Sequence, residues 1–130
     1  MKSIEMFFVF VLLFFSAFSC APKKASNVAR LYTVGEKYYF KEVDLKQGPN
    51  FLQGSIPKEQ VARHAQYFEV VFNRRQLVRS LSFIFSGNVI WKAEYTYHDN
   101  GVVKSEVWTE DGDTRTRYFS ENGKLLRGEN

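Results

Sequence analysis

Few residues in this chain have the types and spacing that chemistry needs. Cys20 is the only cysteine, so an intrachain disulfide and a cysteine-based zinc module are both excluded. His64 and His98 are the only histidines. A metal centre would need both plus a carboxylate, and His98-Asp99 runs into Asn100-Gly101, where a polar pair before a turn is the ordinary expectation. Glu110, Asp111 and Asp113 gather three carboxylates around Gly112. They lack the Asp-x-Asp-x-Asp-Gly spacing of a calcium loop, so the segment reads as a solvated hairpin turn. There is no Gly-x-Ser-x-Gly elbow, and the other Asp and Glu are too dispersed to form an acid–base pair. What remains is charge: a formal net +4, with Arg74, Arg75 and Arg79 around one turn and Arg115 and Arg117 on one strand face. Such residues favour binding over catalysis, with no metal and no cofactor.

The N-terminal residues say where that binding takes place. Met6 to Phe18 read MFFVFVLLFFSAF, and six of the thirteen Phe fall in this stretch. As a helix at 1.5 Å per residue it spans about 20 Å, short of the roughly 30 Å hydrocarbon core of a bilayer. With Lys2 ahead of it and small residues behind, residues 1–19 read as a removable secretory signal helix. Ser16-Ala17-Phe18-Ser19-Cys20-Ala21 resembles the lipobox of bacterial lipoproteins, where a small residue precedes a cysteine that is diacylated and becomes the new N-terminus. The resemblance implies lipid on Cys20, a membrane as partner through that lipid, and a place in the cell envelope. Ala21, where Asp would mark retention at the inner membrane, implies the outer membrane. Two alternatives stay open: plain cleavage after Ser19, which would release a soluble secreted protein, and an uncleaved anchor. Residues 20–30 carry one Pro, two Lys and no apolar periodicity, and read as a tether.

Residues 31–130 suit a single small domain. Arg30–Val34 and Lys37–Val43 are runs of β-branched and aromatic residues split by Gly35-Glu36. Leu45–Pro57, with Gly48-Pro49-Asn50 and Gly54, reads as a loop, and Ser55 is placed to cap one short helix over Pro57–His64. Thereafter every segment reads as strand or turn. Val89, Trp91, Ala93, Tyr95 and Tyr97 alternate with Ile90, Lys92, Glu94, Thr96 and His98, the pattern of a sheet with one dry and one wet face. The expected fold is mostly β: an antiparallel meander sheet of repeated hairpins with one short helix, preceded by the signal helix.

An internal repeat sharpens this expectation. Leu77-Val78-Arg79-Ser80, Val102-Val103-Lys104-Ser105 and Leu125-Leu126-Arg127-Gly128 share the pattern apolar, apolar, basic, small. Each follows an aromatic and a turn, which divides the domain into units of roughly 67–91, 92–113 and 114–130. Tyr97–Glu106 and Phe119–Glu129 resemble the MORN-like repeat of exported bacterial proteins, aromatic-x-x-Asn-Gly-x-Leu/Val-x-x-x-Glu. That resemblance implies stacked β-hairpins and no activity. Stacking would align Arg79, Lys104 and Arg127 as a basic ladder for an anionic ligand. The expected function is therefore a non-catalytic binding or scaffold module in the envelope. Its partner would be another envelope protein or an anionic envelope polymer; the secretory leader argues against nucleic acid. A small envelope enzyme with an unrecognised site is the alternative.

Overall fold

Eight antiparallel strands lie side by side in one sheet: β1 (Lys37–Val43), β2 (Leu52–Ile56), β3 (Gln66–Phe72), β4 (Val78–Phe85), β5 (Asn88–Tyr97), β6 (Val103–Glu110), β7 (Asp113–Phe119) and β8 (Leu125–Glu129). Their order is β2-β1-β3-β4-β5-β6-β7-β8, a meander apart from β2, which takes the outer edge of β1. The structure, a computed structural model, describes residues 31–130. The expected signal segment 1–19, Cys20 and the tether to residue 30 lie outside the described residues.

Two kinds of turn alternate along the meander. At one end β4–β5 and β6–β7 close with Ser86-Gly87 and Asp111-Gly112, whose φ angles are all positive (48°, 78°, 52° and 79°). Such pairs match the twist of a hairpin. At the other end three longer turns share one construction. Asn73, His98 and Ser120 each accept a hydrogen bond from the amide three residues on and donate to the carbonyl four residues on. The third turn residue is left-handed in every copy: Gln76 (φ 62°), Gly101 (87°) and Gly123 (85°). This is a type I turn closed by a left-handed residue, and it explains both Asn-Gly pairs.

Gln76 occupies that position without being glycine, at a backbone cost of about 1–2 kcal/mol. Its side chain offsets the strain. The amide oxygen accepts from Tyr32 N at 2.9 Å and the amide nitrogen donates to Tyr32 O at 2.9 Å. The Tyr32 ring stacks on Phe72 with 3.8 Å between centroids. The turn that departs from the Asn-Gly pattern is thus the one that fastens the start of the domain.

Paired residues share a face, and the register therefore defines an inner face. Phe40, Val70, Phe72, Val78, Leu81, Ala93 and Tyr95 form its core, with Tyr32, Val43 and Leu52 packed against them. The β1–β2 connection reaches across this face. Asn50 accepts from Val78 N at 2.7 Å and donates to Tyr97 Oη at 3.2 Å, while that hydroxyl donates to Val78 O at 2.6 Å. These core residues all lie within Tyr32–Asn130, one compact unit with a hydrophobic core of its own.

The antiparallel meander agrees with the sequence; four local expectations do not. Leu31–Val34 form no strand, because Tyr32 is committed to Gln76 and Phe72 instead of a ladder. The expected loop Leu45–Pro57 contains β2. There Gly54 at φ 71° interrupts the ladder opposite Lys41, and a Cβ at that position would come within 3.0 Å of Lys41 Cβ. The helix expected over Pro57–His64 is a 3-10 helix, Lys58–Arg63, without a side-chain cap, since Ser55 belongs to β2. Finally, Phe83 pairs with Trp91 but Ile84 pairs with Val89. Ile90 is bulged out, and Val89 leaves the face of Trp91.

Candidate functional site

The expected basic ladder is only partly aligned by the register. Phe72 pairs with Val78 and Val71 with Ser80, leaving Arg79 as the extra residue of a bulge. Tyr97 pairs with Val103 and Thr96 with Ser105, leaving Lys104 in the same role. In β8, Phe119 pairs with Leu125 and Tyr118 with Arg127, so the extra residue is Leu126. The third copy is thus offset by one. Lys124 fills the slot of Leu77 and Val102, Leu126 that of Arg79 and Lys104, and Gly128, not Glu129, that of Glu106. Arg79 and Lys104 are exposed on alternate strands, roughly 10 Å apart by strand spacing. Arg127 is engaged elsewhere: its guanidinium lies 4.4 Å from the Tyr118 ring centre and its Nε 3.6 Å from Glu129.

The inner face holds a more complete constellation that the sequence reading missed. Tyr95, Glu106, Arg117 and Gly128 form one cross-strand row over β5–β8. Arg117 donates twice to Glu106 Oε1, from Nε at 2.9 Å and Nη2 at 2.6 Å. The Glu106 side chain is 10% exposed and that of Arg117 51%. One row along, Trp108 sits opposite Ala93 and Arg115. Its indole stacks on Trp91 at 4.2 Å and donates to Glu110 at 3.2 Å. Phe68 and Phe83 continue the aromatic run towards β3. Ala93 is the small residue that leaves room for the two indoles to meet across β5 and β6.

Two shallow depressions flank the Glu106–Arg117 pair. One, about 380 Å³, is bordered by Trp108, Arg115, Gly128 and Glu129. The other, about 420 Å³, lies under the Leu45–Phe51 loop beside Tyr95, Val103 and Phe119. Gly128 has no side chain where its neighbours in the row have large ones, and this opens the first depression. Arg115 makes no ion pair among the described residues. The inner face therefore presents a fixed carboxylate–guanidinium pair, a second guanidinium and two half-buried indoles side by side.

Burial pushes the Tyr95 hydroxyl well above the usual tyrosine range, with the Glu106 carboxylate adding to the effect. Burial also pushes Tyr97 up to about 12, against a smaller opposing effect of its Asn50 hydrogen bond. A phenol with a raised folded value holds its proton more tightly than the unfolded chain does. Its contribution is complete below pH 10 and is lost as pH climbs through the folded value. The urea midpoint should accordingly be flat from neutral pH to about pH 9 and fall above pH 10. Tyr97→Phe should flatten part of that fall; an unchanged slope in the variant would remove Tyr97 from the account.

The other residues noted in the sequence have structural duties. Among the described residues no group of three His, Cys, Asp or Glu is placed to hold a metal ion. His98 Nε2 lies 2.8 Å from Phe119 O, and Asn100 donates to Glu121 O at 2.8 Å. Arg75 donates to His98 O and Asp99 O at 2.9 and 2.7 Å. Together these bonds tie each long turn to the next. Glu110 and Asp113 flank the Asp111-Gly112 turn, as a solvated hairpin requires.

Residues 35–128 match the model of a family described as a family of unknown function (DUF6156). The match runs from Gly35 into β8 and takes in every strand but the last residue of β8. No curated protein and no solved structure matches the chain.

Proposed function

Since the chain belongs to the DUF6156 family, of unknown function, we propose its role from its own residues: a lipid-anchored, non-catalytic binding module of the bacterial cell envelope, in the outer membrane. Diacylated Cys20 holds it there, as the lipobox-like Ser19-Cys20 implies, and the three long-turn hairpins are variants of a MORN-like repeat. One observation carries the binding role: the open inner-face groove, where Trp91, Trp108, Arg115 and the Glu106–Arg117 pair stand together. Half-exposed indoles stack on flat rings, and guanidinium forks pair with carboxylate or phosphate. Glu106 is tied to Arg117 and Tyr95 keeps its proton, so these groups orient a ligand and do not shuttle protons. The ligand class that fits is an anionic envelope glycan.

Two experiments test this. Cys20→Ala should move the protein from the membrane pellet to the soluble or unprocessed pool; a processed species that still resists salt and carbonate washes defeats the anchor. Arg115→Glu with Trp108→Ala should weaken co-sedimentation with purified peptidoglycan or lipopolysaccharide about tenfold or more. Unchanged retention, or capture of an envelope protein in place of glycan, defeats the glycan reading.

A further inference from the structure

We infer that the end of the domain carrying the three long turns docks on an anionic lipid surface. This rests on the lipid-anchor reading for its setting, though not for its test. The first ground is where the chain enters the domain. Tyr32 is pinned to Gln76 and Phe72 beside the first long turn. Eleven residues separate it from Cys20, a reach of about 40 Å when fully extended. Those eleven include Lys23, Lys24 and Arg30 and no acid.

Charge is the second ground. Arg74, Arg75 and Lys124 lie in the turns, and Arg79 and Lys104 lie in the bulges just beyond them. The acids nearby are Glu36, Asp99 and Glu121, with Asp44 and Lys46 together on the β1–β2 loop. At the opposite end the β6–β7 turn is acidic, with Glu110, Asp111 and Asp113. The domain is thus polarised along its strands, positive at the end where Tyr32 is held.

Exposed aliphatic and aromatic surface is the third; Phe85, Val89 and Ile90 are exposed at the opposite end too, but here the apolar side chains lie among the bases just named. Leu125 and Leu126 are 52% and 63% exposed just after the third turn. Val34 is exposed beside the Tyr32 anchor point, and Leu45 and Phe51 are exposed on the loop that borders Gly101 and Gly123. Basic side chains mixed with exposed apolar ones are the composition of a surface that settles into the headgroup region.

The test uses the leaderless chain from position 20 with Cys20→Ser, mixed with vesicles of phosphatidylcholine alone or of phosphatidylcholine and phosphatidylglycerol in equal parts. The chain should sediment with the mixed vesicles only, and less so as salt rises. Arg74→Gln and Lys124→Gln should each weaken binding about fivefold. Leu126→Ser should also weaken it, whereas Arg63→Gln and Val89→Ser, at the end of the short turns, should leave it unchanged. Equal binding to both vesicle types, binding to neither, or equal losses from the Arg63 and Val89 variants would overturn the proposal. The anchor is read separately, from the mass of the Cys20 peptide in the membrane-extracted protein. Absence of lipid there defeats the anchor and leaves the vesicles to decide the surface.

Discussion

Leu81→Ala is expected to lower the free energy of unfolding by about 2–5 kcal/mol, a large share of a small domain's total. Leu81 is 0% exposed in the middle of β4, paired with Val70 on one side and Ala93 on the other, both also at 0%. Strands on both flanks hold the backbone in register, so the site has little freedom to collapse around the lost atoms. Trp91→Ala should cost less than a fully buried indole would, about 1–3 kcal/mol, because Trp91 is half-buried against Trp108. Lys92→Ala, on the wet face, should stay within about 0.5 kcal/mol. Urea unfolding of the three variants checks the ranking. Comparable losses at Leu81 and Lys92 would show that the assignment of faces is wrong.

The second large effect is asymmetric. Arg117→Ala strands a carboxylate that is 10% exposed and leaves it without its cation. The expected cost is about 2–4 kcal/mol. Glu106→Ala leaves a guanidinium that is already half in water and can turn outward, at a cost of about 1 kcal/mol. Replacing both, as Glu106→Leu with Arg117→Met, should recover most of the Arg117→Ala loss, since no charge is then stranded. A double-mutant cycle by chemical denaturation reads the coupling. Equal costs for the two single alanine variants would mean that Glu106 is solvated, and the polar pair would no longer be a preorganised part of the groove.

Much of the architecture was legible because strands and turns carry local signatures. Alternation from Trp91 to Tyr97 identified the dry face of β5, and it survives in the buried Ala93 and Tyr95. The Asn-Gly pairs at positions 100–101 and 122–123 located two of the three long turns. Gln76, in the same conformation, was not legible: its strain is offset by Tyr32, 44 residues away, whose backbone N–H donates to its side-chain amide and whose carbonyl accepts from it. β2 was hidden for a related reason, since Gly54 reads as a loop breaker until Lys41 is known to lie across from it.

The sequence by itself determined the class of fold, the position of the lone cysteine after the apolar run, and the recurrence of a turn motif near positions 73, 98 and 120. Those depend on neighbours within a few residues along the chain. Only the tertiary structure decided which side chains meet. Bulges at Arg79, Ile90, Lys104 and Leu126 each shift the ladder by one residue. A one-residue shift sends every following side chain to the other face. That is why Arg127 fell out of line with Arg79 and Lys104. Glu106 faces Arg117, 11 residues on, through the unshifted β6–β7 register that runs from the Asp111-Gly112 turn. Side-chain period is local, whereas register is set by partners distant in sequence.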